Sequence, residues 1–162
     1  MIVLGIDPGI AITGYGLIRE EDDGQAIAVA YGAITTPSDL PLPDRLQLLY
    51  RALSELIRQY QPDQSAVEQL FFNKNTRTAL TVGHARGVTL LALAQANVSI
   101  YEYTPLAVKQ AVTGNGRADK RQIQQMVTLL LNLKAVPKPD DVADALAIAL
   151  CHLHSAKLTA LK

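Results

Sequence analysis

The 162-residue sequence has one cysteine, no net charge, and no apolar stretch near the roughly 20 residues that span a membrane. The lone Cys151, set in the apolar run ALAIALCHL, excludes a disulfide framework and reads as a buried core thiol. The N-terminus has neither the basic flank nor the small-residue cleavage site of a signal peptide, so a cytoplasmic protein without membrane association is expected. Also missing are a GxxxxGK[ST] phosphate loop, a paired-cysteine zinc pattern and a GxSxG elbow. His84, His152 and His154 are too scattered for a metal site, and the last two are expected as exposed helix-end residues. No repeat or low-complexity tract interrupts the chain, and 49% hydrophobic residues suffice for a sizeable core, so one domain over residues 1–162 is expected.

The neutral total hides an uneven distribution. Residues 1–73 hold four Lys/Arg and ten Asp/Glu (net −6), residues 74–121 seven and two (net +5), and the remainder four and three (net +1). A polyanion could be held by the basic middle while acids elsewhere do another job.

The opening MIVLGIDPGIAITGYGLI carries an unbroken apolar run, the mark of a strand buried on both faces, and ends it on Asp7. An isolated buried carboxylate costs several kcal/mol or more, so Asp7 must lie in a cleft, be paired or bind a metal. TGYGLIRE continues as a second strand, the acidic tip EEDDG turns a hairpin, and AIAVAYGAITT forms a third strand. LPDRLQLLYRALSELIRQY has helical apolar spacing, and SAVEQLFF reads as a fourth strand ending near Glu68. From Asn75 to Ala96 a long helix is expected, with Gly83 and Gly87 four apart to allow close approach of another helix. VSIYEYTP is a fifth strand, LAVKQAV and DKRQIQQMVTLLLNL are helical, and DDVADALAIALCHLH begins a last helix after Pro139. This order fits an α/β fold: a five-stranded mixed sheet, antiparallel meander first, with helices on both faces.

Asp141 and Asp144, three apart, share one helix face. Taken singly, each acid has an ordinary explanation: a cap or macrodipole partner for Asp140 or Asp141, an Asp-Pro-Gly turn for Asp7. Jointly, two strand ends and a helix start each offer a carboxylate. Like charges held close need a counter-charge, which hard divalent cations supply to oxygen ligands. Two such ions would serve an in-line displacement at a phosphodiester.

With these acids in view, GIDPGIAITGYG, AVEQLFFNKNTRTALTVGHARGV, VKQAVTGNGRADKRQIQQMV and DDVADALAIALCHLH together resemble, over nearly the whole chain, the RuvC family of Holliday junction resolvases. The resemblance implies a ribonuclease H-like fold, a homodimer, and a magnesium-dependent endonuclease that nicks two opposed strands of a four-way DNA junction. It implies Asp7, Glu68, Asp141 and Asp144 as the catalytic, metal-binding set for two Mg2+ ions, with Mn2+ as a substitute, and leaves Asp140 outside. Asp7 would bridge the metals, Glu68 and Asp144 would complete their shells, and Asp141 would bind or orient the attacking water. Phe71 matches the family aromatic that stacks on a base near the junction centre, and Lys109 and Lys120 match lysines near the scissile phosphate. Lys74, Arg77, Arg117 and Arg121 are candidate backbone contacts. Also implied are 5′-phosphate and 3′-hydroxyl nicks, a thymine-containing cleavage sequence, and coupling to RuvA and RuvB branch-migration proteins. The long helix from Asn75 is the expected dimer interface.

Three other readings are served less well. An actin-like or sugar-kinase ATPase needs a second lobe, a silent junction-binding module would lack some of the acids, and a nuclease of this fold acting on RNA or other branched DNA has no feature that reads a 2′-hydroxyl.

Overall fold

The structure is a computed structural model describing residues 1–69 and 76–160, the side chains of residues 76–77 and 157–160 excepted. Five strands, β1 (Ile2–Asp7), β2 (Ile12–Glu20), β3 (Ala26–Thr35), β4 (Gln64–Glu68) and β5 (Ser99–Tyr103), form one sheet in the order β3-β2-β1-β4-β5. The first three make the expected antiparallel meander, and β4 and β5 add in parallel beyond β1. The central β1 is buried on both faces, as its apolar run requires.

Five helices complete the chain: α1 (Leu42–Tyr60), α2 (Thr76–Gln95), α3 (Pro105–Thr113), α4 (Lys120–Leu130) and α5 (Asp140–Ala160). Their boundaries follow local chemistry. Thr104 caps α3 by accepting from the Ala107 amide at 3.0 Å, with Pro105 at the first position, where no intrahelical N–H is needed. Asp119 and Gln122 form a reciprocal capping box that makes Lys120 the first residue of α4. Among the described residues no helix is long and apolar enough to cross a membrane.

Strand alternation sorts the core into two layers. Leu4, Ile6, Leu17 and Val67 pack with Leu49, Leu53 and Ile57 of α1 and Ala85 and Leu93 of α2. Val3, Ile18 and Ala66 face the other way, against Val108 of α3, Ile123 and Val127 of α4, and Val142 and Leu146–Leu150 of α5. Asp7, two and four residues from Gly5 and Val3, shares the α5 side, and Glu68 shares it with Ala66. Glycine lets α5 settle there. A Cβ on Gly5 would stand 2.1 Å from the Ala145 carbonyl oxygen, and one on Gly14 would stand 1.9 Å from that of Asp141.

Two expectations need revision. His152 is not an exposed helix-end residue: it is 2% exposed, beneath Tyr101 and between Tyr103 and Gln64, because α5 continues past it across the sheet. His154 is half-buried, its Nδ1 3.2 Å from the Ala111 carbonyl oxygen. Gly83 and Gly87 do lie in a long helix, but an added Cβ on either meets nothing within 4 Å in this chain. Cys151 is buried, and burial pushes its thiol up to about 11, consistent with an inert core residue.

Candidate active site

Asp7 is the last residue of β1, opposite Gly14 of β2, and the turn after it is closed by Thr13. The Thr13 hydroxyl donates to the Gly9 carbonyl at 2.7 Å and accepts from the Gly9 amide at 3.2 Å, so the Asp-Pro-Gly turn is held from within. Glu68 ends the parallel neighbour β4. Both strands stop at the same sheet edge, where ligand clefts open outside the carboxyl ends of parallel strands. The start of α5 crosses that edge because Gly14 admits it, and it brings Asp144 in.

The result is a cavity of about 250 Å³ lined by Asp7, Glu68 and Asp144 together with Lys109 and Lys120. Pro105, Val108, Ile123 and Ala147 form its apolar walls. Five residues named from the sequence thus meet in one cleft. Asp141 does not line it, although its charge is felt at both Asp7 and Asp144. Arg117 and Arg121 are exposed on the loop before α4 and on its first turn. Phe71 and Lys74 lie outside the described residues, as does the side chain of Arg77.

The electrostatics are those of a site short of positive charge. Burial, followed by the charges of Asp144, Asp141 and Glu68, raises Asp7 from 3.8 to about 7, against a smaller opposing effect of Lys120. Burial and then Asp144 likewise raise Glu68, although Lys109 pulls it down. Asp144 is raised too, chiefly by burial, despite Lys120 at 3.4 Å. An ion pair should lower a carboxylate, so the net direction shows that desolvation and neighbouring acids outweigh one partly exposed ammonium.

Lys120 occupies the first helical position of α4, where the macrodipole disfavours a cation. Asp140 and Asp144 supply the offset. The Lys120 ammonium lies 3.3 Å from Asp140 Oδ2 and 3.4 Å from Asp144 Oδ2, and although burial alone would lower its pKa, the two carboxylates raise it. Asp140 also accepts from Lys138 at 3.2 Å and from the Gln124 amide at 3.0 Å. Asp140, like Asp141, does not line the cavity, and its role as the second anchor of Lys120 was invisible in the sequence, since the partners are 20 residues apart.

Among the described residues no three His, Cys, Asp or Glu side chains are drawn together in a metal-holding group. The donor chemistry nevertheless suits hard divalent cations. Three carboxylates on one cleft, two of them on strand ends and raised by burial and then by neighbouring acids, offer only oxygen ligands and lack positive charge. Cation binding there would displace a proton from Asp7 near neutral pH.

Comparison with known proteins places this geometry in context. The family model described as "Crossover junction endodeoxyribonuclease RuvC" matches residues 3–152. The chain is 60% identical over 159 residues to the crossover junction endodeoxyribonuclease RuvC of Alkaliphilus oremlandii, covering 98% of this chain and 96% of that one. It is 58% identical over 158 residues to that of Clostridioides difficile, covering 98% and 93%. Among solved structures it is similar to T. thermophilus RuvC in complex with Holliday junction substrate, with a TM-score of 0.92, 36% identity, and 98% and 96% of the two chains covered. The Fowlpox virus resolvase, 16% identical with a TM-score of 0.58 over 96% and 99% of the chains, shares the fold alone. The ribonuclease H-like sheet, the acids at its carboxyl edge and a match over nearly all its length lead to one conclusion: the chain belongs to the RuvC family of crossover junction endodeoxyribonucleases.

Proposed function

We propose that the protein is a structure-selective endonuclease that resolves four-way DNA junctions by paired, symmetric hydrolysis of phosphodiester bonds. The observation that carries this reading is the convergence of Asp7, Glu68 and Asp144 with Lys109 and Lys120 in one cleft of a RuvC-family chain. Asp7, Glu68 and Asp144, with Asp141 beside them, would hold two magnesium ions, or manganese in their place. When bound, such ions lower the pKa of a water and stabilise the attacking and leaving oxygens of an in-line displacement. The chain's own contribution is positioning and charge. Asp7 is held by β1 and the Thr13-closed turn, so its carboxylate needs little reorganisation. Asp141, on the first turn of α5, would bind or orient the attacking water. Lys120 and Lys109 would bear on the scissile phosphate and offset the negative charge that develops there, leaving a 5′-phosphate and a 3′-hydroxyl.

Phe71 is proposed to stack on a base near the junction centre, and Lys74, Arg77, Arg117 and Arg121 to touch the phosphate backbone. A homodimer matches the two-fold character of the substrate. Support for it comes from α2, where Leu80 and Leu91 are 67% and 51% exposed and Gly83 and Gly87 face open space. Partnership with RuvA and RuvB, and a cytoplasmic location, belong to the same reading.

The test is cleavage of a synthetic mobile four-way junction, with linear duplex and an RNA:DNA hybrid as competitors. Paired symmetric nicks that require both magnesium and Asp7 are expected. Tight junction binding without a cut, in magnesium or manganese, would overturn the enzymatic reading. Leu91→Glu should run as a monomer in size-exclusion chromatography and nick only one strand per binding event.

A further inference from the structure

Helix α2 reaches back to the sheet through one side chain. Arg86 is 12% exposed, and its guanidinium divides between two acceptors. Nη1 donates to the backbone carbonyl of Glu68 at 2.5 Å, and Nη2 is paired with the carboxylate of Glu102 on β5. Glu68 lies one residue past the last pair of the β1–β4 ladder, Ile6 with Val67. On the β5 side the same strand end is held by the Gln69 amide, which donates to the Tyr103 carbonyl at 2.7 Å. Arg86 thus ties α2 directly to the last residue of β4.

We propose that Arg86 is a positioning residue: it grips the end of β4 from α2, with Glu102 aiming its guanidinium, and thereby sets where the Glu68 carboxylate stands in the cleft. The inference rests on the reading of Glu68 as a metal-binding acid and adds to it the group that holds that acid in register. Arginine suits the task because its planar fork presents two donors to two acceptors at once, whereas a lysine ammonium is a point donor. Loss of the grip leaves a half-buried carbonyl and a carboxylate without their partner, and a shift of about 1 Å in a reacting constellation can cost about 10²-fold in rate.

The experiment compares wild type, Arg86→Ala, Arg86→Lys and Glu102→Gln. It reads Mn2+ affinity of the full chain alone by titration calorimetry, junction affinity without divalent metal, and single-turnover cleavage at saturating junction across a magnesium series. Arg86→Ala should bind Mn2+ about 10-fold more weakly and cut about 10- to 100-fold more slowly, the range for groups that orient metal ligands, with junction affinity unchanged. Arg86→Lys should recover part of both, and Glu102→Gln should lie between Arg86→Ala and wild type. A folded Arg86→Ala with wild-type Mn2+ affinity and magnesium dependence overturns the proposal, as does a loss confined to junction affinity. If Arg86→Ala does not fold, Glu102→Gln decides: weakened Mn2+ binding supports the grip, and wild-type binding overturns it. Should wild type cut no junction while Arg86→Ala still weakens Mn2+ binding, the resolvase reading falls and the role of Arg86 stands.

Discussion

Helix α5 and strand β4 meet twice, at two polar clusters with opposite electrostatic characters. At one meeting Asp144 faces Glu68, with Asp7 beside them. At the other His152 faces Gln64. The spacing is geometric: eight helical residues rise about 12 Å and four strand residues about 13 Å, so antiparallel elements that touch at one pair touch again at the other. The His152 end is satisfied. Its Nε2 lies 2.6 Å from Gln64 Oε1, its Nδ1 2.7 Å from the Tyr103 hydroxyl, and its ring centroid 4.4 Å from that of Tyr101. The acid end is not, with three carboxyls raised and one partly exposed lysine between them and Asp140. One cluster serves stability and the other holds unbalanced charge where a cation-dependent reaction can use it.

The largest expected effect comes from breaking the unbalanced end. Asp7→Asn should lower junction cleavage by at least about 10²-fold, the lower bound for removing one preorganised electrostatic group. It should also stabilise the metal-free protein. Because the folded pKa is raised from 3.8 to about 7, the native state favours protonated Asp7, so stability is full below pH 3.8 and is lost as pH rises toward 7. Three units correspond to about 4 kcal/mol, so thermal melting at pH 8 without divalent metal should show Asp7→Asn above wild type by on the order of 10 °C. A lower melting temperature for the variant would contradict the uncompensated buried charge.

Breaking the satisfied end should do the reverse. His152→Ala opens a cavity and strips Tyr103 and Gln64 of a partner, at a cost of about 2 to 4 kcal/mol in chemical denaturation, while cleavage by the folded fraction persists. Burial lowers the His152 pKa below 6.5, so its neutral form is the folded one. Its contribution is present above pH 6.5 and lost as pH falls below that value, opposite in sign to Asp7. A pH series of melting temperatures on wild type and both variants separates the limbs: Asp7→Asn should flatten the fall toward neutral pH, and His152→Ala should lose the acid-side dependence.

Smaller effects sharpen the boundary between the clusters. Lys120→Gln should slow cleavage by about 10²-fold and raise the magnesium needed for half-maximal rate, read from single-turnover kinetics. Asp140→Ala removes the outer anchor of that lysine but lies in solvent, so no measurable change in melting temperature and only a few-fold slower cleavage are expected. Equal losses from the two substitutions would mean that Asp140 belongs to the site itself.

Much of the site was legible in the chain because its signals are local. A two-faced apolar run that ends on an acid announces a strand pointing into a cleft, and it does so at Asp7 and again near Glu68. Three-residue spacing at a helix start puts Asp141 and Asp144 on one face, although of the two only Asp144 lines the cavity. The same strand alternation that assigns core faces assigns the acids to the α5 side. His152 was misjudged because its apolar surroundings come from β5 and β4, and no periodicity of its own helix shows how far α5 extends over the sheet. Arg86 looked like one more cation in a basic segment, since nothing local marks a guanidinium whose acceptors lie 16 and 18 residues away.

The sequence by itself determined the element order, the mixed sheet, the acids at the ends of its strands and the family, because these follow from run length, side-chain period and motif spacing. Tertiary structure alone decided which charges meet. It closed α5 onto glycines 5 and 14, set Lys120 between Asp140 and Asp144, and buried His152 against two partners, because desolvation and Coulomb energies depend on distances that only packing across the sheet creates.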